Sequence, residues 1–345
     1  MHIFYIYKKI PHHAAHSGYD QLVKYVPSKS LSPFLRELIE KVLNRIPEDK
    51  LKRWTWVGGW YKRESLAKEI QIALSIPFRK GIYNYLYGED DFHWGGNLPF
   101  RSGSKIVVTY HQPPSIFDDV IKDKSFIASA DALIVCGTNQ VEYFEQFTGK
   151  KNVYYVPHGV DTDYFVPLES KPANKRFNTI SVGWWLRDVE MIKSIIRKTN
   201  EENLDVEFNI ITFPEYFDYY DGLRNINLFT GISDDELKQK YQLADALLLP
   251  MKDCTANNAV LEAMACGVPV LTTDVGGIRG YVDDTCGFMT PPGDDQALFL
   301  ALKELLNNPR KKQFMGKTAR IKALEFNWHA VGKKMMGVYD KIWVS

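Results

Sequence analysis

The chain has 345 residues, 45% hydrophobic and 25% charged, with no repeat or low-complexity tract, a composition that excludes intrinsic disorder and fits a globular protein. A net charge of +1 excludes nucleic-acid binding through a general basic field, so any basic site must be local. Cys136, Cys254, Cys266 and Cys286 form no CxxC pair and no zinc spacing with histidine, so reduced, buried thiols are expected.

Length alone predicts two domains of roughly 150–180 residues. The opening apolar run is too short for a signal peptide, and no segment reaches the ~20 apolar residues of a membrane span, so a cytoplasmic location is expected. His2–Tyr7 reads as a buried strand, Lys8–Gly18 as the polar loop after it, and Tyr19–Val26 as the start of a helix. Further β-rich runs follow at Ile106–Tyr110, Ala132–Cys136 and Val153–Val156, spaced widely enough for helices. Such alternation predicts a parallel α/β sheet.

A polar segment with two prolines, Pro167–Lys175, suits an interdomain linker. After it come strand candidates Thr179–Val182, Val206–Ile211, Ile226–Phe229, Ala246–Leu249 and Val268–Thr272, with helical segments Asp234–Leu243 and Asn258–Cys266 among them. Two doubly wound α/β domains fit better than one large sheet. Ligands in such sheets bind beyond the carboxyl ends of the strands, which makes the cleft between the domains the expected active site.

The stretch Thr255–Thr273, TANNAVLEAMACGVPVLTT, carries the chemistry. A small-residue helix beginning at the carboxyl end of a parallel strand aims its free N–H groups where a phosphate can bind. Thr255, Asn257 and Asn258 are good capping residues at that end. Glu262 falls about one turn inside, where an unpaired carboxylate is expensive, so it needs a partner: a nearby Lys or Arg, or a ligand. The segment closely resembles the carboxy-terminal signature of the retaining GT-B glycosyltransferases of family GT4. Val156–Pro167 (VPHGVDTDYFVP), Gly276–Gly277 and Cys286–Asp294 (CGFMTPPGD) are similar to further segments of that family.

The resemblance implies a GT-B fold, two doubly wound Rossmann-like domains facing each other across a cleft: residues 1–167, completed by a helix over 330–345, and residues 168–329. It implies a hexosyltransferase-type glycosyltransferase that retains anomeric configuration, with a UDP- or GDP-sugar as donor (UDP favoured), a glycan, lipid or small-molecule acceptor, and no cofactor. Glu262 would bind the ribose hydroxyls, with Gly18, Gly183, Gly276 and Gly277 near the diphosphate and the nucleobase near Thr230–Ser233, which includes Gly231. Two other readings stay open: a sugar-nucleotide 2-epimerase, and a degenerate binding protein without catalysis.

Two positions depart from the family pattern. Where the family has a sugar-binding Glu, eight positions before the ribose-binding one, this chain has Cys254; Asp253, Asn257 or backbone amides are then expected to hold the sugar. Where the family presents an Arg after the glycine of Val182–Asp188 (VGWWLRD), Trp184 stands instead, leaving Arg187 as the cation of that segment. Arg187 either neutralises the diphosphate, for which its fork suits, or pairs with Asp188 or Glu190. Asp161-Thr162-Asp163 has the DxD form that can hold Mg²⁺ or Mn²⁺, but inside GVDTDYF a turn-and-linker role is expected, and no essential metal.

In the amino-terminal half, His111 follows a buried strand, and the resemblance puts a His near the transferred sugar or leaving phosphate. The loop His12–Tyr19 corresponds to the family's glycine-rich loop, with Gly18 allowing close approach and His16 and Tyr19 on the acceptor side; His12, His13 and His16 are weak evidence for metal. Glu89, Asp90 and Asp91 face either the acceptor or solvent. Between Ser30 and Arg63, apolar positions at helical spacing (Leu31, Phe34, Leu35, Leu38, Ile39, Val42) precede Trp54, Trp56 and Trp60 among Lys50, Lys52, Arg53, Lys62 and Arg63. Peripheral membrane contact at the cytoplasmic face, core packing and sugar stacking are all compatible with that pattern.

Overall fold

The structure is a computed structural model, and it describes residues 1–8, 15–54, 60–121, 123–172 and 175–344. His12, His13 and Trp56 lie outside the described residues. The chain divides into two compact units: 1–8, 19–157 and 331–344 form the first, and 15–18 with 158–330 the second. The division falls after Pro157, so residues 158–167 group with the second unit and not the first. The cause is local: Val160 N–H donates to Phe326 O at 2.9 Å, and the Arg320 guanidinium donates to the carbonyls of Phe165 (2.8 Å), Ala265 (2.9 Å) and Thr162 (3.0 Å).

In the first unit, β1 (Ile3–Ile6), β2 (Ile82–Tyr85), β3 (Lys105–Tyr110), β4 (Ala132–Val135) and β5 (Val153–Tyr155) make one parallel sheet in chain order. Strands β2 and β4 are buried throughout, as expected for a parallel sheet covered on both faces. The helices of this unit are α1 (Pro33–Leu43), α2 (Glu48–Trp54), α3 (Arg63–Ser75), α4 (Gly88–Asp91), α5 (Pro114–Val120) and α6 (Asn139–Thr148). The helix expected from Tyr19 is only a 3-10 turn, Tyr19–Lys24. Helix α1 buries Ile39 and Leu43 and leaves Phe34, Leu38 and Val42 exposed, a second apolar stripe one turn apart.

The second unit contains β6 (Phe177–Val182), α7 (Val189–Glu201), β7 (Val206–Ile211), β8 (Ile226–Phe229), α8 (Asp234–Leu243), β9 (Ala246–Leu249), α9 (Asn258–Ala265), β10 (Val270–Thr273), β11 (Gly287–Thr290), α10 (Asp295–Asn307) and α11 (Pro309–Leu324). A last helix, α12 (Trp328–Val344), belongs from Val331 onward to the first unit. The second sheet is parallel, in the order β11-β10-β9-β6-β7-β8. Its order reverses between β6 and β9, the topological switch point at which doubly wound sheets bind ligands. Both loops at that point are tied together: Lys252 N–H donates to Leu186 O at 2.9 Å and Asp188 N–H to Pro250 O at 3.0 Å.

Candidate functional site

Helix α9 starts in the loop that follows β9 at the switch point. Asn257 is its N-cap, accepting from Val260 N–H at 3.3 Å, and Asn258 is its first residue. Every residue from Ala259 to Ala265 is buried, so small side chains let the helix lie close against its neighbours. Thr255 is also buried, at 4% exposure.

Glu262 is 5% exposed. Among the described residues no Lys or Arg pairs with it. Its carboxylate instead receives two hydroxyls, Ser17 Oγ–H on Oε1 and Tyr241 O–H on Oε2 at 3.0 Å. Burial raises the pKa of this carboxyl above the ordinary range, against the lowering effect of both hydroxyls. Glu262, Ser17, His16, Gly159, Val160, Asn258 and Leu261 line a narrow crevice. A buried carboxylate that accepts from two hydroxyls has the chemistry to accept from a diol.

Arg187 lies across the switch point. Its Nε–H donates to Val182 O and an Nη1–H to Trp185 O, both at 3.0 Å. Among the described residues no carboxylate lies within 4 Å of it, since Asp188 caps α7 through Met191 N–H and Glu190 pairs with Lys193. The salt-bridge alternative is therefore not realised. Burial lowers the guanidinium to about 10, still cationic at neutral pH, which leaves a partly desolvated cation able to take an anion.

Cys254 is 5% exposed and packs in the hydrophobic core, its thiol 3.5 Å from Val275 O and pushed up to about 12 by burial. At the position where the family has its sugar-binding Glu, Cys254 therefore presents a neutral thiol to the core. Asp253 is half-buried; its Oδ1 accepts Cys254 N–H at 2.7 Å. The glycine-glycine loop packs on this turn, with Gly277 N–H donating to Cys254 O at 2.9 Å. Gly276 has φ +53°, and a Cβ there would lie 2.0 Å from Cys254 O and 2.3 Å from Asp253 Oδ1, so only glycine fits. Gly18, Gly183 and Gly231 also adopt positive φ.

His16 groups with the second unit, where Nδ1 lies 2.7 Å from Asp161 Oδ2 and the ring stacks on Tyr164 at 3.6 Å. Asp161 also accepts the N–H groups of Asp163 and Tyr164 at 3.2 and 3.0 Å, the turn role expected of it. Beyond Gly231, Ser233 caps α8 in a capping box with Glu236.

The remaining candidates sit in the first unit and are largely structural. Tyr19 is fully buried, edge-on to His111 at 4.9 Å, so it is a core residue and not a contact for an acceptor. Glu89 is 5% exposed and accepts the N–H groups of His111 (2.5 Å) and Gln112 (2.7 Å). It therefore faces neither acceptor nor solvent, and burial pushes its carboxyl up to about 7. Asp90 pairs with Lys8 at 2.5 Å and buried Asp91 with Lys68 at 2.6 Å. The ring of His111 donates from Nε2 to Leu86 O at 2.7 Å and turns Nδ1 to the Cys136 thiol at 3.5 Å. Burial lowers it to about 4, so it is neutral, and both nitrogens are engaged within this unit.

Sequence reading missed Ser17 and Tyr241, the two hydroxyls on Glu262. Neither carries a spacing signal, because 245 and 21 residues separate them from the carboxylate.

The profile of the family described as Glycosyl transferases group 1 matches residues 177–308, which span β6 through α10. The MMP alpha-(1->4)-mannosyltransferase of Mycolicibacterium hassiacum is 28% identical over 325 residues, covering 83% of this chain and 77% of that one. The sulfoquinovosyl transferase SQD2 of Arabidopsis thaliana is 29% identical over 159 residues, 43% of this chain and 30% of its own length. Among solved structures, a glycosyltransferase from Rickettsia africae superposes with a TM-score of 0.69 at 14% identity, covering 99% of this chain and 98% of that one. HepE of Anabaena, solved with UDP, gives a TM-score of 0.68 at 13% identity, covering 99% and 100%. These two share the fold. With α9 and its carboxylate at the switch point of the matched unit, residues 177–308 carry the group 1 glycosyltransferase domain, and the chain is a glycosyltransferase with the GT-B fold.

Proposed function

We propose that the enzyme moves a sugar from a UDP- or GDP-sugar, UDP favoured, to a glycan, lipid or small-molecule acceptor, with retention of configuration and no metal. One observation carries the reading: Glu262 is a buried carboxylate whose partners are hydroxyls and not cations. A ribose offers the same two donors. Its hydroxyls would replace Ser17 on Oε1, and the diphosphate would lie over the α9 N-terminus and the Gly276 amide, Gly277 N–H being spent on Cys254 O, with Arg187 supplying the positive charge. The bond from the anomeric carbon to the phosphate oxygen breaks with its electron pair leaving on the nucleoside diphosphate. The acceptor oxygen bonds to the same carbon, and its proton passes to the departing phosphate. Asp253, beside Gly276, is the proposed replacement for the sugar-holding carboxylate missing at Cys254. Support for UDP comes from HepE, which was solved with it. The named relatives transfer mannosyl and sulfoquinovosyl groups, so likeness leaves the sugar open.

A peripheral contact with an anionic bilayer at the cytoplasmic face is part of the proposal. Residues 1–80 hold 15 Lys and Arg against 7 Asp and Glu, a net charge of +8, whereas the rest of the chain holds 28 against 35, or −7. Exposed Phe34, Leu38 and Val42 lie within that basic stretch. No helix among the described residues is long and apolar enough to cross a membrane.

The test is a thermal-shift screen with UDP, GDP, ADP, TDP and their sugars, with and without EDTA. A shift for one nucleotide that survives EDTA supports the reading. A shift that requires a divalent cation refutes its metal-free part, and no shift with any of them refutes it as a whole.

A further inference from the structure

Strands β6 and β7 run side by side with Val182 opposite Ile211, so the segments after them leave the same end of the sheet together. Both are aromatic. Trp184 stacks on Tyr216 with ring centroids 5.6 Å apart and planes 16° apart, and Tyr216 on Tyr219 at 5.8 Å and 17°. Trp185 and Phe213 pack against Trp184 at 5.3 and 6.1 Å. These rings are not core: Tyr219 is 51% exposed, and Trp184, Trp185 and Phe213 each more than a third. Large rings gathered in water at a strand end lose the burial that usually stabilises them, which marks a binding surface.

The charges beside the rings select the ligand. Residues 212–222 contain Glu215, Asp218 and Asp221, all exposed, and no Lys or Arg. Carboxylates at that density repel an anionic bilayer or a nucleic acid, while Arg187, the cation of the neighbouring segment, is turned to the Val182 and Trp185 carbonyls. The carboxylates accept hydrogen bonds from hydroxyl groups, while the negative face of each ring attracts the C–H edges of a saturated ring. Rigid aromatic side chains also bind at little cost in conformational entropy.

We infer that Trp184, Tyr216 and Tyr219 form a stacking strip for a neutral oligosaccharide, which holds the acceptor's outer sugars. Its role as acceptor site rests on the transferase reading; its capacity to bind a glycan does not.

The test titrates the full chain with maltohexaose, cellohexaose, mannohexaose and chitohexaose, following tryptophan fluorescence, and titrates UDP and GDP in parallel. One hexasaccharide should bind better than its disaccharide, and Tyr219→Ala should weaken it by about tenfold or more while leaving nucleotide affinity unchanged. Since Tyr219 is half exposed, a thermal midpoint within a few degrees of wild type checks folding, and Tyr216→Ala should repeat the effect. No binding of any of the four at about 20 mM overturns the inference. So does an equal loss of nucleotide affinity in Tyr219→Ala, which would assign the rings to the nucleobase, or binding to phosphatidylserine vesicles through these rings. Glycan binding without nucleotide binding would leave the strip standing and remove the transferase reading instead.

Discussion

Replacing Glu262 by Gln separates a ligand-binding carboxylate from a structural one, because the two roles predict opposite signs. Glutamine keeps the shape and one acceptor oxygen but removes the charge. A hydrogen bond to a charged group contributes about 1.5–3 kcal/mol and a neutral one about 0.5–1.5, so weakening two ribose bonds costs about 2–3 kcal/mol, roughly 30–150-fold in Kd. Stability of the unliganded protein should move the other way. Burial raises the carboxyl's pKa and no cation compensates it among the described residues, so the stability it contributes is present below the ordinary carboxylate range and lost as pH rises through its folded pKa. Glutamine lacks that loss, so the variant should be at least as stable as wild type, with an advantage that grows with pH. Wild-type affinity for UDP or GDP should also strengthen as pH rises through the same transition. Isothermal titration at pH 5.5 and 8, alongside urea unfolding, reads both quantities. An unchanged Kd refutes the diol-receptor role, and a parallel loss of affinity and stability makes Glu262 structural.

Arg187→Lys should weaken UDP by about 10–100-fold while leaving uridine unaffected, because an ammonium cannot hold the carbonyls of Val182 and Trp185 and also present a fork to phosphate; equal losses for both ligands would show a collapsed loop instead. Glu89→Gln probes the first unit. With the native carboxyl pushed from 4.5 to about 7, its stabilising contribution is full below about 4.5 and falls by about 3 kcal/mol as pH passes 7. The amide keeps an acceptor for His111 and Gln112 but does not titrate. The unfolding free energy of the variant relative to wild type should therefore rise by about that amount between pH 4.5 and 8, and a flat difference would place Glu89 in a wetter setting than its burial indicates.

What was legible from sequence was whatever depends on near neighbours. The runs Val206–Ile211, Ile226–Phe229 and Ala246–Leu249 and the helix Asp234–Leu243 have the bounds expected of them, since short β-rich runs, alternating or continuous, and a capped amphipathic segment signal themselves locally. β11 (Gly287–Thr290) is not among the strands expected from sequence, because four residues beginning with glycine carry no period. At the site the same limit separates success from failure. That Glu262 needs a partner follows from its place in a small-residue helix, but that the partners are hydroxyls depends on Ser17 and Tyr241 arriving from elsewhere in the chain. His111 and Tyr19 stand where a sequence reader expects ligand contacts, after strand ends, yet both turn inward: strand order says where a side chain begins and the packing decides where it points. The aromatic strip failed for the opposite reason. Trp184, Tyr216 and Tyr219 have the residue types of a core, and only the exposure of Trp184 and Tyr219 and the stacking of half-buried Tyr216 between them point to a ligand outside the chain.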